Sequence, residues 1–152
     1  MSFGRRIETR HPKRLEVVLS VDGDDYEGRT RNLSRGGAFI EVGLYIPIVV
    51  EPVVELRFFI PTPTGVIPVA CRGRICWLEG VLPNGTGFGV SFEGLNDQQV
   101  ASLEAFFTLD DRVAPAVMNS NKQAIGETLD RWVANGLLSR EGAERYHKRM
   151  LG

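Results

Sequence analysis

The chain has 152 residues, of which 43% are hydrophobic and 24% are charged, and its formal net charge is -1. This length and composition are typical of one folded domain with a sizeable core, with or without a short appendage. A chain so close to neutral has no overall field that would draw it to nucleic acid or to an acidic membrane. Its charge is uneven, because residues 1–14 hold five basic residues and one acid.

The cysteines and the apolar runs indicate the cellular compartment of the protein. Cys71 and Cys76 are five residues apart, which on a strand places them on opposite faces and argues against a disulfide between them. No cysteine or histidine cluster indicates a metal. There is no apolar signal segment, and no run approaches the roughly 20 apolar residues of a membrane span. We therefore predict a cytoplasmic protein with no membrane span and with both thiols reduced and packed.

Six short segments read as strands. The first, residues 15–21, alternates apolar and polar side chains at the period of a half-buried strand. The others are 26–33, 37–42, 53–60, 67–79 and 86–93, separated by turn residues. Residues 44–52 hold two prolines and predict a packed loop. Because no helical pattern intervenes, the order predicts an antiparallel barrel or sandwich.

Helical patterns begin only after the last of these strands. Asn96 and Gln99 have the spacing of a capping box. They predict a helix that plugs one end of the barrel or lies across an open face. Pro115 is predicted to break the chain before two more helices, the first ending near Gly136 and the second capped by Ser139.

The two-helix tail carries an apolar stripe, formed by Ile125, Leu129, Trp132 and Val133. A hairpin of this size cannot bury its own apolar face, so it must dock on another surface. Docking on the barrel of the same chain and docking on a second chain remain equal alternatives. We predict that the tail contributes to self-association, with Trp132 as an anchor.

Residues suited to binding cluster in two stretches, the basic arm "RRIETRHPKR" at 5–14 and the turn "RTRNLSRGG" at 29–37. The sequence contains no nucleophile, zinc-protease or phosphate-loop motif, so we predict no enzyme activity. Arginine pairs bidentately with phosphate and with the O6/N7 edge of guanine. Asn and Ser bond base edges, and glycines let backbone approach closely. Together these residue types suit a ligand that contains guanine and phosphate.

"NLSRGG" at 32–37 resembles the [D/N]xSxxG motif of PilZ domains, which also carry an RxxxR motif on an upstream arm. Here RxxxR occurs in two overlapping frames, Arg6–Arg10 and Arg10–Arg14. We favour Arg10–Arg14 because it leads directly into the first strand. The resemblance extends over about residues 5–109, since 67–79 and the stretch from residue 86 into the first helix are also similar to the family.

The resemblance implies a mainly β fold, a six-stranded antiparallel PilZ-like β-barrel followed by a helix and a C-terminal helical hairpin. The segments would be a basic arm (1–14), the barrel with its terminal helix (15–109) and a helical extension (110–152). It implies a receptor or adaptor that binds cyclic di-GMP, uses no cofactor, and changes its arm and surface to regulate a partner protein. The implied ligand-binding residues are Arg10, Arg14, Asn32, Ser34 and Gly37, with Arg6 in reserve and Arg35 and Gly36 in the same loop.

Other interpretations stay open beside this one. A basic arm alone is usually a solvated tail, and Asn-x-Ser before two glycines is ordinary turn chemistry. A nucleotide-independent interaction module, using a barrel face and the tail, is the main alternative. Nucleic-acid binding is disfavoured by the near-neutral charge. Trp77 is predicted to share a buried face with Val69, Cys71 and Ile75, rather than to offer a stacking surface.

Overall fold

Six antiparallel strands close into a barrel in the computed structural model, which describes residues 9–43, 53–82 and 85–152, with the backbone alone at 79–82. The strands are β1 (Glu16–Val21), β2 (Asp24–Leu33), β3 (Gly37–Val42), β4 (Val53–Thr62), β5 (Gly65–Leu82) and β6 (Gly85–Glu93). They pair in the order β1-β2-β3-β6-β5-β4. The predicted antiparallel β-barrel is confirmed. The predicted loop at 44–52 and the reserve arginine, Arg6, lie outside the described residues.

The barrel is filled by the side chains that the strand periodicity assigns to one face. Val17 and Leu19 of β1 and Leu56 and Phe58 of β4 are each at most 1% exposed and lie in one apolar cluster. Alternation along a strand would leave the outer residues in water. Val18 is nevertheless fully buried on the outer face, so β1 is covered on both sides.

Trp77 does not share the buried face that its spacing predicts. A bulge lies between Ile75 and Trp77 on β5, where the partners on β6 advance by only one residue. One extra residue in a strand moves every following side chain to the other face. Trp77 is therefore 50% exposed on the outside of the barrel, and the bulge leaves Cys76 exposed too. The predicted packing role holds only for Cys71, where burial raises the thiol pKa to about 12.

Helix α1 (Asp97–Phe107) closes one end of the barrel. Its capping box is present, since the Asn96 side chain accepts from the Gln99 N–H at 2.8 Å and the Asn96 N–H donates to the Gln99 side chain at 3.0 Å. Leu103 and Phe106 point into the same apolar cluster as the inner barrel residues. Of the two predicted placements, the plug is the one observed.

The C-terminal extension has three helices rather than two, α2 (Ala114–Ser120), α3 (Lys122–Ala134) and α4 (Arg140–Leu151). Pro115 was expected to break a helix, but it stands in the first turn of α2. A proline is tolerated there because the first N–H groups of a helix have no intrahelical acceptor. The predicted stop at Gly136 and cap at Ser139 are both present. None of the helices among the described residues is long and apolar enough to cross a membrane.

The extension docks on the barrel of its own chain. Val18 and Phe59, on the outer faces of β1 and β4, form a second apolar cluster with α3 and α4. The Trp132 ring packs on Phe59 with 5.1 Å between centroids, and the Tyr146 hydroxyl donates to the Glu16 carbonyl at 2.7 Å. The stripe proposed for a second copy is thus covered in cis, and self-association stays a prediction without that support.

Asp25 ties the β1–β2 turn to the start of α4. Its carboxylate accepts from the Ser139 N–H at 2.9 Å and from the Ser20 hydroxyl at 2.7 Å. Burial alone would raise the pKa of Asp25, but these hydrogen bonds and the charge of Arg57 outweigh it and hold the pKa below its usual value. The docking therefore has polar as well as apolar contacts.

Trp132→Ala is expected to lower the free energy of unfolding by about 3–5 kcal/mol, because it removes a core ring. Leu137→Ala is the matched control in the same extension, since Leu137 is 37% exposed; its effect should stay within about 0.5 kcal/mol. Urea denaturation of the full-length variants measures both. Equal effects would contradict the docking of Trp132 on the barrel.

Candidate functional site

The arm and the turn between β2 and β3 meet at Arg10. An isolated antiparallel bridge joins His11 to Leu33, with N–H···O distances of 2.8 and 2.9 Å. This bridge sets the arm beside the end of β2. There the Arg10 guanidinium donates to the Asn32 side-chain oxygen at 2.9 Å. Arg10, which both RxxxR frames share, is therefore in direct contact with the first residue of the 32–37 motif.

The arm is also fixed from the side of α1. The His11 ring stacks on Phe107 with 4.0 Å between centroids. The Lys13 ammonium donates to the Leu109 carbonyl and to the Asp111 carboxylate, both at 2.7 Å, and lies 4.9 Å from the centre of the Phe106 ring. Lys13 is only 7% exposed. These contacts hold the arm from His11 onward.

Ser34 organises the turn that follows Asn32. Its hydroxyl oxygen accepts from the N–H groups of Gly36 and Gly37 at 3.3 and 3.2 Å, and its own N–H donates to the Gly37 carbonyl at 2.8 Å. The Phe92 N–H then closes the loop on the Gly36 carbonyl at 2.7 Å. The Ser-x-x-Gly spacing thus builds a serine turn. Ser34 is 4% exposed, so its first role is to shape the loop.

Gly37 is required by the sheet. A Cβ at this position would run into the Val90 carbonyl of β6. The family resemblance implies a ligand-binding role for Gly37, and the structure gives it a packing role in the approach of β3 to β6.

The two remaining predicted site residues, Arg35 and Arg14, lie in different surroundings. Arg35 is exposed and pairs with Glu104 of α1 at 3.5 Å. Arg14 lines a separate pocket with Phe59 and Met118, and none of the residues 32–37 line that pocket. The structure therefore joins Arg10 to the 32–37 loop and does not bring Arg14 to it.

An aromatic surface that the sequence did not reveal adjoins Asn32. The pairing registers align Asn32 with Phe39, Phe39 with Gly89, and Gly89 with Trp77. Three strand spacings put Trp77 about 14 Å from Asn32. The Arg31 guanidinium lies 3.8 Å from the centre of the Phe39 ring, and Trp77 meets that ring edge-on at 5.2 Å. The bulge that turns Trp77 outward has no sequence signal beyond Gly73, which lies upstream of it.

The charges of this region are unequally compensated. Arg31 pairs with Glu41 at 3.4 Å, and Arg35 pairs with Glu104. Among the described residues, Arg10 bonds only the neutral amide of Asn32. Its positive charge is therefore available to an anion without breaking an ion pair to a described residue.

A cavity of about 850 Å³ lies elsewhere, between the β1–β2 turn and the α3–α4 connection. Its charged lining has three acids and two bases: Asp22, Asp25, Glu55, Arg57 and Arg72. An acidic majority does not suit a phosphate ligand. The chemistry of the motifs, rather than cavity size, identifies the candidate site.

Comparisons with known proteins agree with this architecture. The family model described as PilZ domain matches residues 4–109. Searching the curated proteins gives no match. The structure of the Bacillus subtilis inhibitor of motility (MotI/DgrA) superposes with a TM-score of 0.53 at 12% identity, covering 68% of this chain and 49% of that chain. This chain thus spans about half the length of that protein, and the likeness is one of fold.

Two solved PilZ domains are also similar. The PilZ domain of YcgR from Escherichia coli, solved with c-di-GMP, gives a TM-score of 0.49 at 12% identity over 81% of this chain and 98% of that chain. The PilZ domain of CeSA from a cellulose-synthesizing bacterium gives 0.41 at 21% identity over 63% and 91%.

Gly37→Ala is expected to destabilise the protein and to broaden or shift the amide signals of the 32–37 loop, because the added methyl collides with the Val90 carbonyl. Gly126→Ala is the control, since a Cβ there meets nothing within 4 Å and alanine is favoured over glycine in a helix by roughly 1 kcal/mol. Thermal melts and amide spectra of both variants test this pair. A Gly37→Ala protein as stable as wild type would refute the packing role.

Proposed function

The chain belongs to the PilZ domain family, and from this membership we propose that it is a receptor for cyclic di-GMP that acts by binding. The observation that carries the proposal is the 2.9 Å contact between Arg10 and Asn32, which joins the two motifs in one site. Cyclic di-GMP offers two phosphates and two guanines. Those are the groups that arginine and an amide recognise.

Arg10 supplies the charge in this proposal. In the free protein its guanidinium bonds the neutral Asn32 amide, and a ligand phosphate is a stronger acceptor for it. Asn32 is then left to bond a guanine edge, with an oxygen acceptor and an NH₂ donor. A neutral amide accepts guanine N–H groups less strongly than the carboxylate that other family members carry at this position.

We assign the RxxxR motif of the arm to the frame Arg6–Arg10. The sequence favours Arg14, but Arg14 lines another pocket. Lys13, which precedes it, is anchored to the Leu109 carbonyl and to Asp111, and this supports keeping Arg14 at that pocket. Arg6 with Arg10 is therefore the pair proposed to bind phosphate.

The outer aromatic surface is proposed to receive a guanine. Trp77 is 50% exposed and lies in the same register row as Asn32. Stacking of a base on an aromatic ring is worth roughly 1–3 kcal/mol.

Signalling is proposed to proceed through the surface that Arg35 and Glu104 share. A ligand phosphate beside the 32–37 loop competes with Glu104 for the Arg35 guanidinium. Release of Glu104 leaves an uncompensated negative charge on α1, and a partner protein would recognise this charge. This mode changes a surface without releasing the docked extension.

A second candidate function uses the same surface without nucleotide. On the outer face of β5, Trp77 is 50% exposed and meets the Phe39 ring edge-on. Aromatic side chains are enriched at protein-binding surfaces. In that case the aromatic patch binds a partner whether or not Arg10 is present.

Calorimetric titration of the full chain with cyclic di-GMP tests the receptor proposal. Arg10→Ala is expected to weaken binding roughly 10- to 100-fold, the loss of charge-assisted hydrogen bonds. Arg14→Ala, the matched arm variant, should change affinity by less than about twofold. A large loss of affinity in Arg14→Ala would support the Arg10–Arg14 frame instead. No binding at ligand concentrations far above micromolar would refute the receptor function.

Trp77→Ala is expected to weaken dinucleotide binding by roughly 5- to 100-fold through lost stacking. Leu78→Ala is its control, because the neighbouring side chain points to the other face of β5. Both affinities are measured by the same titration, with circular dichroism to check folding. If neither substitution changes affinity, the aromatic surface has no part in nucleotide binding. That result would favour the second candidate function for this surface.

A further inference from the structure

Arg14 belongs to a motif that the sequence singled out, yet it lies at a different pocket. That pocket has a volume of about 410 Å³, within the range of roughly 300–1,000 Å³ that is common for small-molecule sites. Its walls are mainly apolar, and they include Leu15, Phe59, Pro61, Phe106, Met118 and Met150.

Four separate parts of the chain build this pocket. The arm contributes Arg14, the outer face of β4 contributes Phe59, α1 contributes Phe106, and the extension contributes Met118 of α2 and Met150 of α4. Protein interfaces usually need a broad surface of about 800 Å² on each partner. A concave chamber walled by four segments suits a small molecule better, and methionine side chains adapt readily to the shape of an apolar guest.

The charges that line the pocket favour an anion. The Glu16 carboxylate is already paired with Arg29 at 2.7 Å and with Arg149 at 2.8 Å. The Asp111 carboxylate is paired with Lys13 at 2.7 Å. With the described residues, Arg14 makes no hydrogen bond and no ion pair. The uncompensated charge beside the apolar walls is therefore a guanidinium.

We propose that this pocket binds a small amphipathic carboxylate. The apolar body of the ligand packs against the phenylalanine and methionine side chains, and its carboxylate accepts hydrogen bonds from Arg14. A bare phosphate would leave the apolar walls unfilled, and a neutral hydrocarbon would leave the guanidinium unpaired. The site is separate from the proposed dinucleotide site, and it needs no nucleotide to form.

The alternative is that Arg14 only covers apolar surface with its stem and keeps its head in water. Methyl NMR distinguishes the two, since the sequence has three methionines and two of them line the pocket. The full chain, labelled at its methionine methyl groups and free of nucleotide, is titrated with 4-phenylbutanoate. Saturable shifts are expected at Met118 and Met150. The neutral 4-phenylbutan-1-ol should bind about tenfold more weakly, because charge-assisted hydrogen bonds are about twice as strong as neutral ones.

Arg14→Gln should abolish this preference, so that the acid and the alcohol bind equally. Arg74→Gln is the control, because Arg74 of β5 pairs with Glu93 of β6 and does not line the pocket; it should keep the tenfold preference. Ala114→Leu, which places a larger side chain in the chamber wall, should prevent both probes from binding to a protein that melts normally. Absence of saturable shifts in wild type, or equal affinity of wild type for acid and alcohol, would overturn the proposal.

Discussion

The buried ammonium of Lys13 is the constraint on which the binding surfaces depend. An ammonium that is 7% exposed is tolerated only when it is paired and hydrogen-bonded. Lys13 meets this requirement with the Leu109 carbonyl, the Asp111 carboxylate and the face of the Phe106 ring. All three acceptors lie at the end of α1 or just after it, so the arm must run along the barrel end that α1 closes. That path sets Arg10 beside Asn32 and sets Arg14 on the other side.

The barrel accepts a helical extension because two of its strands carry an apolar residue on the outer face. Val18 and Phe59 are outward positions by strand alternation, yet each is at most 2% exposed because α3 and α4 cover them. Removing these two side chains from water contributes to the docking. The extension thus completes the core outside the barrel, and the same packing brings Met118 and Met150 beside the arm to wall the second pocket.

The sequence predicted what depends on local pattern and missed what depends on register. Period-two alternation located the inner face of β1, and the Asn96–Gln99 spacing located the start of α1, because each signal is contained in a few neighbouring residues. The outward position of Trp77 follows from a bulge that is defined only by its pairing with β6. Pro115 carried two opposite meanings, helix break and helix start, and only the position of the preceding turn selects between them. The overlapping RxxxR frames are likewise indistinguishable by spacing, and the anchoring of Lys13 supports the frame proposed above.

This anchoring also limits how far a signal can travel. The Lys13 side chain is 9% exposed, whereas its partner Asp111 is 78% exposed, so detaching Lys13 costs about the 1.5–3 kcal/mol of hydrogen bonds to a charged group. The free energy that separates a micromolar from a nanomolar complex is about 4 kcal/mol. A ligand that acts only through Arg10 would therefore lose a large part of its binding energy if it had to detach Lys13. Changes confined to the exposed Arg35–Glu104 pair require less, because an exposed ion pair contributes about 1 kcal/mol or less. The arm from His11 to Arg14 therefore separates two surfaces, and the proposed response to the dinucleotide belongs to the side that carries Arg10.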